Sequence, residues 1–327
     1  MDIIKIKNLV KKFDKITAVN SISFTIKEGE IFGFLGPNGA GKTTTLSMLA
    51  TILEPTSGEA SVNNFNIATQ KNDVRKSIGM VFQDSSLDDE LTAYENMDFH
   101  GRIYDVPREK RKEKIIELLK LVELDSRKND LVKTFSGGMR RRLEIARGLL
   151  HEPKVLFLDE PTMGLDPQTR NKIWKYVNNL NKEKKITIIL TTHYMDEADK
   201  LCERVAIIDK GKIIKLDIPD NLKDSIGDDV ISVFTESKNI LDLLKKFPWF
   251  KSGKIHNGCI TINLQNAEKH VTEIVKIASE NKIEIKSLEI HKPTLEDVFL
   301  HFTGKTIREE EADPNEAMKI RHRMMRR

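Results

Sequence analysis

An apolar run, Ile31-Phe32-Gly33-Phe34-Leu35, leads directly into Gly36-Pro37-Asn38-Gly39-Ala40-Gly41-Lys42-Thr43. The run reads as a strand buried on both faces. The segment after it is too rich in glycine for regular structure, and a helix is expected to begin near Lys42. Its spacing is G-x-x-x-x-G-K-[ST], and each part has a physical reason. Glycines let backbone N–H groups turn inward around an anion, where side chains would block the approach. The following helix presents its positive N-terminal end. Lys42 can reach the β- and γ-phosphates of a nucleotide, and Thr43 can set its hydroxyl on Mg²⁺. Residues 36–43, with Thr44 behind them, are the expected phosphate site.

Other strands of the same kind follow. Val155–Leu158, Ile186–Leu190 and Val205–Ile208 are short apolar runs, and Ile22, Phe24 and Ile26 alternate with polar residues. Strands alternating with helices imply an α/β fold with a mostly parallel sheet. Residues 91–150 interrupt that alternation with helical patterns. Thr92 and Glu95 have capping-box spacing, and Ile115, Leu118, Leu119 and Val122 share a helix face. That block should project as a helical subdomain, about 91–150, of a domain spanning 1–221.

From 222 the pattern changes. Strand candidates Val230–Phe234, Lys254–His256, Ile260–Leu264 and Ile283–Ile290 alternate with helix candidates Asn239–Phe247 and Ala267–Glu280. Asn257-Gly258 is a hairpin signal. In the second helix Val271, Ile274, Val275 and Ala278 form the apolar stripe. The order β-α-β-β-α-β suggests a ferredoxin-like accessory domain over 222–304. Residues 305–327 form a charged tail expected to be disordered; its last nine residues, Lys319–Arg327, hold five basic and no acidic side chains.

The strand Val155–Leu158 ends in Asp159-Glu160. Beside a phosphate loop, Asp159 suits support of Mg²⁺ and Glu160 suits polarising the water that attacks a γ-phosphate. His193 follows another strand end and could donate a hydrogen bond to that phosphate. Farther along, Phe135-Ser136-Gly137-Gly138-Met139-Arg140-Arg141-Arg142-Leu143 sets Ser-Gly-Gly before a helical run. This is ordinarily a helix cap, but here it offers a second anion site.

These motifs together resemble the ATP-binding subunits of ABC transporters. The resemblance covers residues 3–220 in unbroken order: phosphate loop, Gln83, Ser136–Met139, Asp159-Glu160, Gly164-Leu165-Asp166 and His193. It implies a head-to-tail homodimer of ATPase domains with ATP in the seam. Ser136, Gly137 and Gly138 would then meet the nucleotide held by the partner, and Asp166 would line the shared interface. Gln83 would act in catalysis, contact the Mg²⁺ region and report nucleotide state. Phe13 resembles the aromatic that stacks on adenine. Phe135, Met139 and Met163-Gly164 depart from the family's usual Leu, Gln and Ser-Ala, but none of these changes removes a phosphate ligand or the base.

Ser-Gly-Gly-Met-Arg-Arg-Arg-Leu, Gly-Leu-Asp-Pro-Gln-Thr-Arg and residues 293–305 narrow the resemblance to daunorubicin-resistance-type exporters. That implies export of a drug, lipid or polysaccharide, driven from the cytoplasmic face of the membrane as a peripheral subunit. No run approaches the ~20 apolar residues of a membrane helix, so an integral permease is the expected partner. The basic tail could touch anionic lipid.

With 54 basic against 50 acidic residues, a net charge of +4, nucleic acid is not expected as a partner. Cys202 and Cys259 have no metal-ligand spacing and read as reduced thiols. Asn171-Lys172 and Asn181-Lys182 lack the Asp that would complete a guanine motif. The Gln83-to-Ser136 interval is too short for the coiled coil of a DNA-repair ATPase. The alternative reading is a non-transport ABC ATPase acting on a nucleic-acid or protein machine. Its support is the basic tail and the Arg140–Arg142 run, a pattern more often a solvated helix face.

Overall fold

The computed structural model describes residues 1–304 apart from Lys15, Asp228, Glu236, Lys238, Asn257, Gly258, Gln265 and Asn266. The Asn257-Gly258 hairpin and the 305–327 tail lie outside the described residues. The chain divides into two compact units, Met1–Ile213 and Ile214–Arg327.

The first unit opens with two long antiparallel strands, β1 (Asp2–Phe13) and β2 (Ile16–Lys27), followed by β3 (Ile31–Leu35) and helix α1 (Lys42–Leu49). Strands β4 (Ser57–Val62) and β5 (Phe65–Asn66) complete an antiparallel sheet of order β2-β1-β4-β5. Helix α2 (Lys71–Ser77) leads into β6 (Ile78–Val81). Three helices then run without an intervening strand: α3 (Ala93–Ile103), α4 (Arg108–Leu121) and α5 (Gly137–Gly148). Thr92 and Glu95 form the capping box of α3, and Ile115, Leu118, Leu119 and Val122 are all buried.

The α/β alternation resumes with β7 (Val155–Asp159), α6 (Pro167–Lys184), β8 (Thr187–Thr192), α7 (Met195–Leu201), β9 (Arg204–Asp209) and β10 (Lys212–Asp217). The second sheet has the order β10-β9-β3-β8-β7-β6, and β3 pairs in parallel with both β8 and β9. Every residue of β3, β7 and β8 is buried, which is why these runs are apolar without alternation. The two sheets are joined by aromatics. Phe24 of β2 stacks on Phe32 with centroids 5.4 Å apart and meets Phe34 edge-on at 5.5 Å. Burying side chains of this size stabilises by about 1.5–3 kcal/mol each. The packing fixes β3, whose C-terminal end carries the phosphate loop.

The second unit holds α8 (Pro219–Asp224), β11 (Asp229–Phe234), α9 (Asn239–Leu244), β12 (Phe250–His256), β13 (Cys259–Leu264), α10 (Ala267–Glu280), β14 (Ser287–His291) and α11 (Leu295–Thr303). Its antiparallel sheet has the order β12-β13-β11-β14, the pairing of the expected ferredoxin-like sandwich. The core joins Ile231, Val233, Ile260 and Ile262 of the sheet to Ile240 and Leu244 of α9 and Ile274 of α10. One position of the expected stripe on α10 differs. Val275 is 46% exposed, and Ile277 is buried instead. Val275 lies one residue beyond Ile274, which rotates it about 100° off the buried face.

Candidate functional site

Strand ends bring the site together. Because β3, β7 and β8 are parallel neighbours, their C-terminal ends lie side by side, the usual ligand edge of an open α/β sheet. Gly41 is the N-cap of α1 at φ 106°, and a Cβ there would sit 2.4 Å from the Ala18 carbonyl oxygen. Only glycine fits, and the loop is thereby tucked against β2.

Thr43 Oγ1 donates to Asp159 Oδ1 at 2.9 Å, joining the phosphate loop to β7. The same carboxylate oxygen accepts from Thr191 Oγ1 of β8 at 2.5 Å. Lys42 Nζ lies 3.0 Å from Glu160 Oε1 and donates to the Gly36 and Pro37 carbonyls at 2.6 and 3.2 Å. His193 Nδ1 is 2.8 Å from Glu160 Oε2. Lys42, Thr43, Asp159, Glu160 and His193, far apart in the sequence, thus form one hydrogen-bonded group.

The two acids are held differently. Burial pushes the Asp159 carboxyl above the ordinary carboxylate range, against the hydrogen bonds from Thr191 and Thr43. Burial opposes the charge of Glu160 as well, but the His193 hydrogen bond and the Lys42 ammonium outweigh it and hold Glu160 below that range. The oxygens of Thr43 and Asp159 are hard donors of the kind Mg²⁺ takes beside a phosphate, and an acid strained by burial gains from a neighbouring cation. Among the described residues no cluster of three or more His, Cys, Asp or Glu could hold a metal by itself. A divalent ion here would need nucleotide oxygens and water to complete its shell.

Other expected residues occupy separate places. Ser136 is the N-cap of α5, its Oγ accepting from Met139 N at 3.3 Å. Asp166 caps α6 by accepting from Gln168 N and Thr169 N, both at 3.0 Å. The two helix starts touch, since a Cβ on Gly138 would meet Thr169 Cγ2 at 2.3 Å. Gln83 is exposed, and its Nε2 donates to Met163 Sδ at 3.4 Å rather than to Asp159 or Thr43. Phe13, half-buried at the end of β1, has Lys11 Nζ 4.9 Å from its ring centroid.

Two residues of the site escaped sequence reasoning. Glu197 of α7 is fully buried, its Oε1 accepting from Thr162 Oγ1 and Trp174 Nε1, both at 2.9 Å. Burial raises its pKa. The second is Arg141, where the structure corrects the expected solvated face of the Arg140–Arg142 run. Arg141 is 7% exposed and hydrogen-bonded to the main chain at the end of β7. Arg140 pairs with Asp89, while Arg142 bonds Val122 O and lies near Glu123. The one signal for Arg141 was its helical phase, which it shares with Gly138 and Ile145.

The sequence pattern described as ABC transporter matches residues 19–163, and that of the C-terminal domain of daunorubicin-resistance-type (DrrA1-3-like) ATP-binding proteins matches residues 219–303. The linearmycin resistance ATP-binding protein of Bacillus subtilis (strain 168) is 39% identical, covering 93% of this chain and 99% of that protein. The chain belongs to the ATP-binding subunits of ABC transporters, in the daunorubicin-resistance group.

Other subunits of the group agree. The daunorubicin/doxorubicin resistance ATP-binding protein of Streptomyces peucetius is 35% identical, with 92% of each chain covered. A Nod factor export ATP-binding protein of Rhizobium sp. (strain N33) is 36% identical over 92% of this chain and 97% of its own. Among solved structures, cbiO1 from Clostridium perfringens, part of an ABC transporter complex, has a TM-score of 0.64 and 33% identity over 68% of this chain and 90% of that one. A cassette solved as a dimer in a post-hydrolysis state with ADP and Pi has a TM-score of 0.59 and 31% identity over 66% and 98%. As a member of this group, the chain is an ATP-binding, ATP-hydrolysing subunit of an ABC exporter. Among the described residues no helix is long and apolar enough to cross a membrane.

Proposed function

We propose that ATP is hydrolysed at the cluster of Lys42, Thr43, Asp159, Glu160 and His193, in the seam of a head-to-tail homodimer. The observation that carries this is the joining of the phosphate loop to the acid pair through Thr43–Asp159 and Lys42–Glu160. Backbone N–H groups of 38–44, at the turn and the start of α1, would bind the triphosphate, with Lys42 between its β- and γ-phosphates. Thr43 and Asp159 would hold Mg²⁺, with Gln83 approaching it once nucleotide is bound. When bound, the ion neutralises charge on the phosphate oxygens. Glu160, ionised at neutral pH, accepts the proton of the attacking water. The water oxygen bonds to the γ-phosphorus, the bond to the β-phosphate oxygen breaks, and ADP and inorganic phosphate leave.

His193 holds Glu160 in place. With its Nδ1–H given to Glu160, its Nε2 donates to a phosphate oxygen only as the imidazolium. Phe13 would stack on adenine.

Ser136, Gly137 and Gly138 of a second copy would close over the γ-phosphate, with Asp166 at the same seam. Among the described residues, Ser136 Oγ has its own helix cap to give up, at 3.3 Å. Closure excludes water and completes the charge environment, so the dimer would last only while the γ-phosphate is present.

The export path lies in a separate integral membrane permease, with this subunit peripheral on the cytoplasmic face. A cavity of about 350 Å³ beside the Gln83 segment, lined by Ser86, Leu91, Phe99 and Ile103, suits a permease loop. Phe99 and Ile103 there are each 61% exposed. The cargo would be a drug, lipid or polysaccharide, and the basic tail could add contact with anionic lipid. The reading as a nucleic-acid machine loses its support at 140–142, where all three arginines pair with acids and Arg141 is also buried.

The test is Glu160→Gln. It should keep ATP binding, lower turnover by about a hundredfold or more, and give a dimer with MgATP by light scattering. Unchanged hydrolysis would overturn the base assignment.

A further inference from the structure

We infer that Arg141 is a positioning residue for hydrolysis, holding the main chain of Glu160 and of the Gln83 segment against the helix that begins at Ser136. The inference deepens the reading of Glu160 as the base and rests on it.

All five guanidinium N–H groups have an acceptor. Nε donates to Pro161 O at 2.8 Å, and Nη2 donates to Asp159 O and Glu160 O at 2.8 and 3.1 Å. Nη1 donates to Phe82 O at 2.5 Å and to Glu144 Oε2 at 3.1 Å. The other oxygen of Glu144 accepts from Ser86 N at 3.0 Å. One buried ion pair on α5 therefore grips three consecutive carbonyls, beginning at the last residue of β7, and both ends of the segment containing Gln83. Burying an ion pair is costly unless every donor is used, as here.

The grip falls where the backbone needs it. Glu160 sits at φ 48°, a conformation that costs a non-glycine residue energy. Its N–H is tied to Thr191 Oγ1 at 2.9 Å and its C=O to Arg141, so both adjoining peptides are held. If either peptide tilts, the carboxylate leaves its water, and a 1 Å misplacement can cost about a hundredfold in rate. The phosphate-binding groups lie in the loop after β3 and at the start of α1, whereas the hydrogen bonds of Arg141 go to Phe82, Glu144, Asp159, Glu160 and Pro161. Its loss should therefore appear in turnover and not in nucleotide affinity. Because Ser136 caps α5, the same strut would carry closure of the partner site to the base.

The experiment compares Arg141→Met, Arg141→Lys and Glu144→Gln in the full chain, alone and combined with Glu160→Gln. Steady-state kcat and KM, the dissociation constant of a fluorescent ATP analogue, and single-turnover phosphate release are read. Arg141→Met should lower kcat by about a hundredfold with KM and ATP affinity within about threefold, and Arg141→Lys should recover part of the loss. In the Glu160→Gln background Arg141→Met should cost no more than about threefold further, because its effect runs through the lost base. Should Arg141→Met fail to fold by circular dichroism, Arg141→Lys and Glu144→Gln must still lower kcat at unchanged affinity. Full activity in an Arg141 variant beside an inactive Glu160→Gln would overturn this inference alone. Losses that multiply in the double variant, or affinity falling in step with kcat, would also overturn it. An active Glu160→Gln strikes the parent reading instead.

Discussion

Lys42 and Glu160 form an ion pair at 3.0 Å with side chains only 4% and 3% exposed, tying the phosphate loop to the end of β7. The lysine also spans two loop carbonyls, so it braces the curve of the loop from within. A triphosphate would compete with Glu160 for this ammonium, leaving the carboxylate free to take a water proton.

Lys42→Ala should weaken ATP binding by at least about tenfold, because a charge-assisted hydrogen bond contributes about 1.5–3 kcal/mol. Equilibrium titration with a fluorescent ATP analogue measures this. An unaltered dissociation constant counts against the loop assignment.

Ser136→Arg places a long cation where a partner's nucleotide must approach. ATP affinity of the single chain should stay within about threefold, while turnover falls about a hundredfold, as for loss of an oxyanion donor. Normal turnover in that variant argues against the two-copy seam.

His100 of α3 lies among Arg147, His151 and Tyr104, with the Tyr104 centroid 4.9 Å away. Burial, then Arg147 and His151, lower its pKa from 6.5 to about 3. The folded chain keeps this ring neutral while the unfolded chain protonates it, so stability is present above pH 6.5 and is lost as pH falls toward 3. His100→Phe should remove that loss, which is on the order of 1 kcal/mol between pH 7.5 and 5.5. Urea melts at the two pH values check it. An equal acid loss in wild type and variant rejects the assignment.

Glu197 has the opposite sign. Its folded pKa is raised by burial, so its contribution is present at low pH and is lost as pH rises through that raised value. Glu197→Gln keeps the acceptor for Trp174 and Thr162 without a charge, and should be at least as stable as wild type at pH 8. Glu197→Ala leaves both donors unpaired and should cost about 1–3 kcal/mol. Denaturation curves of the pair decide it, and a Gln variant as unstable as the Ala variant would refute the acceptor role.

The sequence alone determined the parts whose chemistry is local. The Gly36-to-Thr43 spacing between an apolar strand and a helix carries its own reason to expect an anion, in its inward-turning N–H groups and its lysine. Runs such as Ile31–Leu35 and Val155–Leu158 must be buried strands, because water would not tolerate them exposed. Thr92 with Glu95 settles a helix start within four residues, and the β-α-β-β-α-β order narrows the accessory sheet to few pairings. Tertiary structure decided which of these parts meet. That Thr43 reaches Asp159 depends on β3, β8 and β7 being neighbours, a matter of sheet order that no local pattern carries. Arg141 reads like Arg140 and Arg142 until the helix turns it inward onto the carbonyls of β7. Charge follows from composition, but burial and partners belong to the packed chain, and they separate a solvated cation from one that holds a backbone in place.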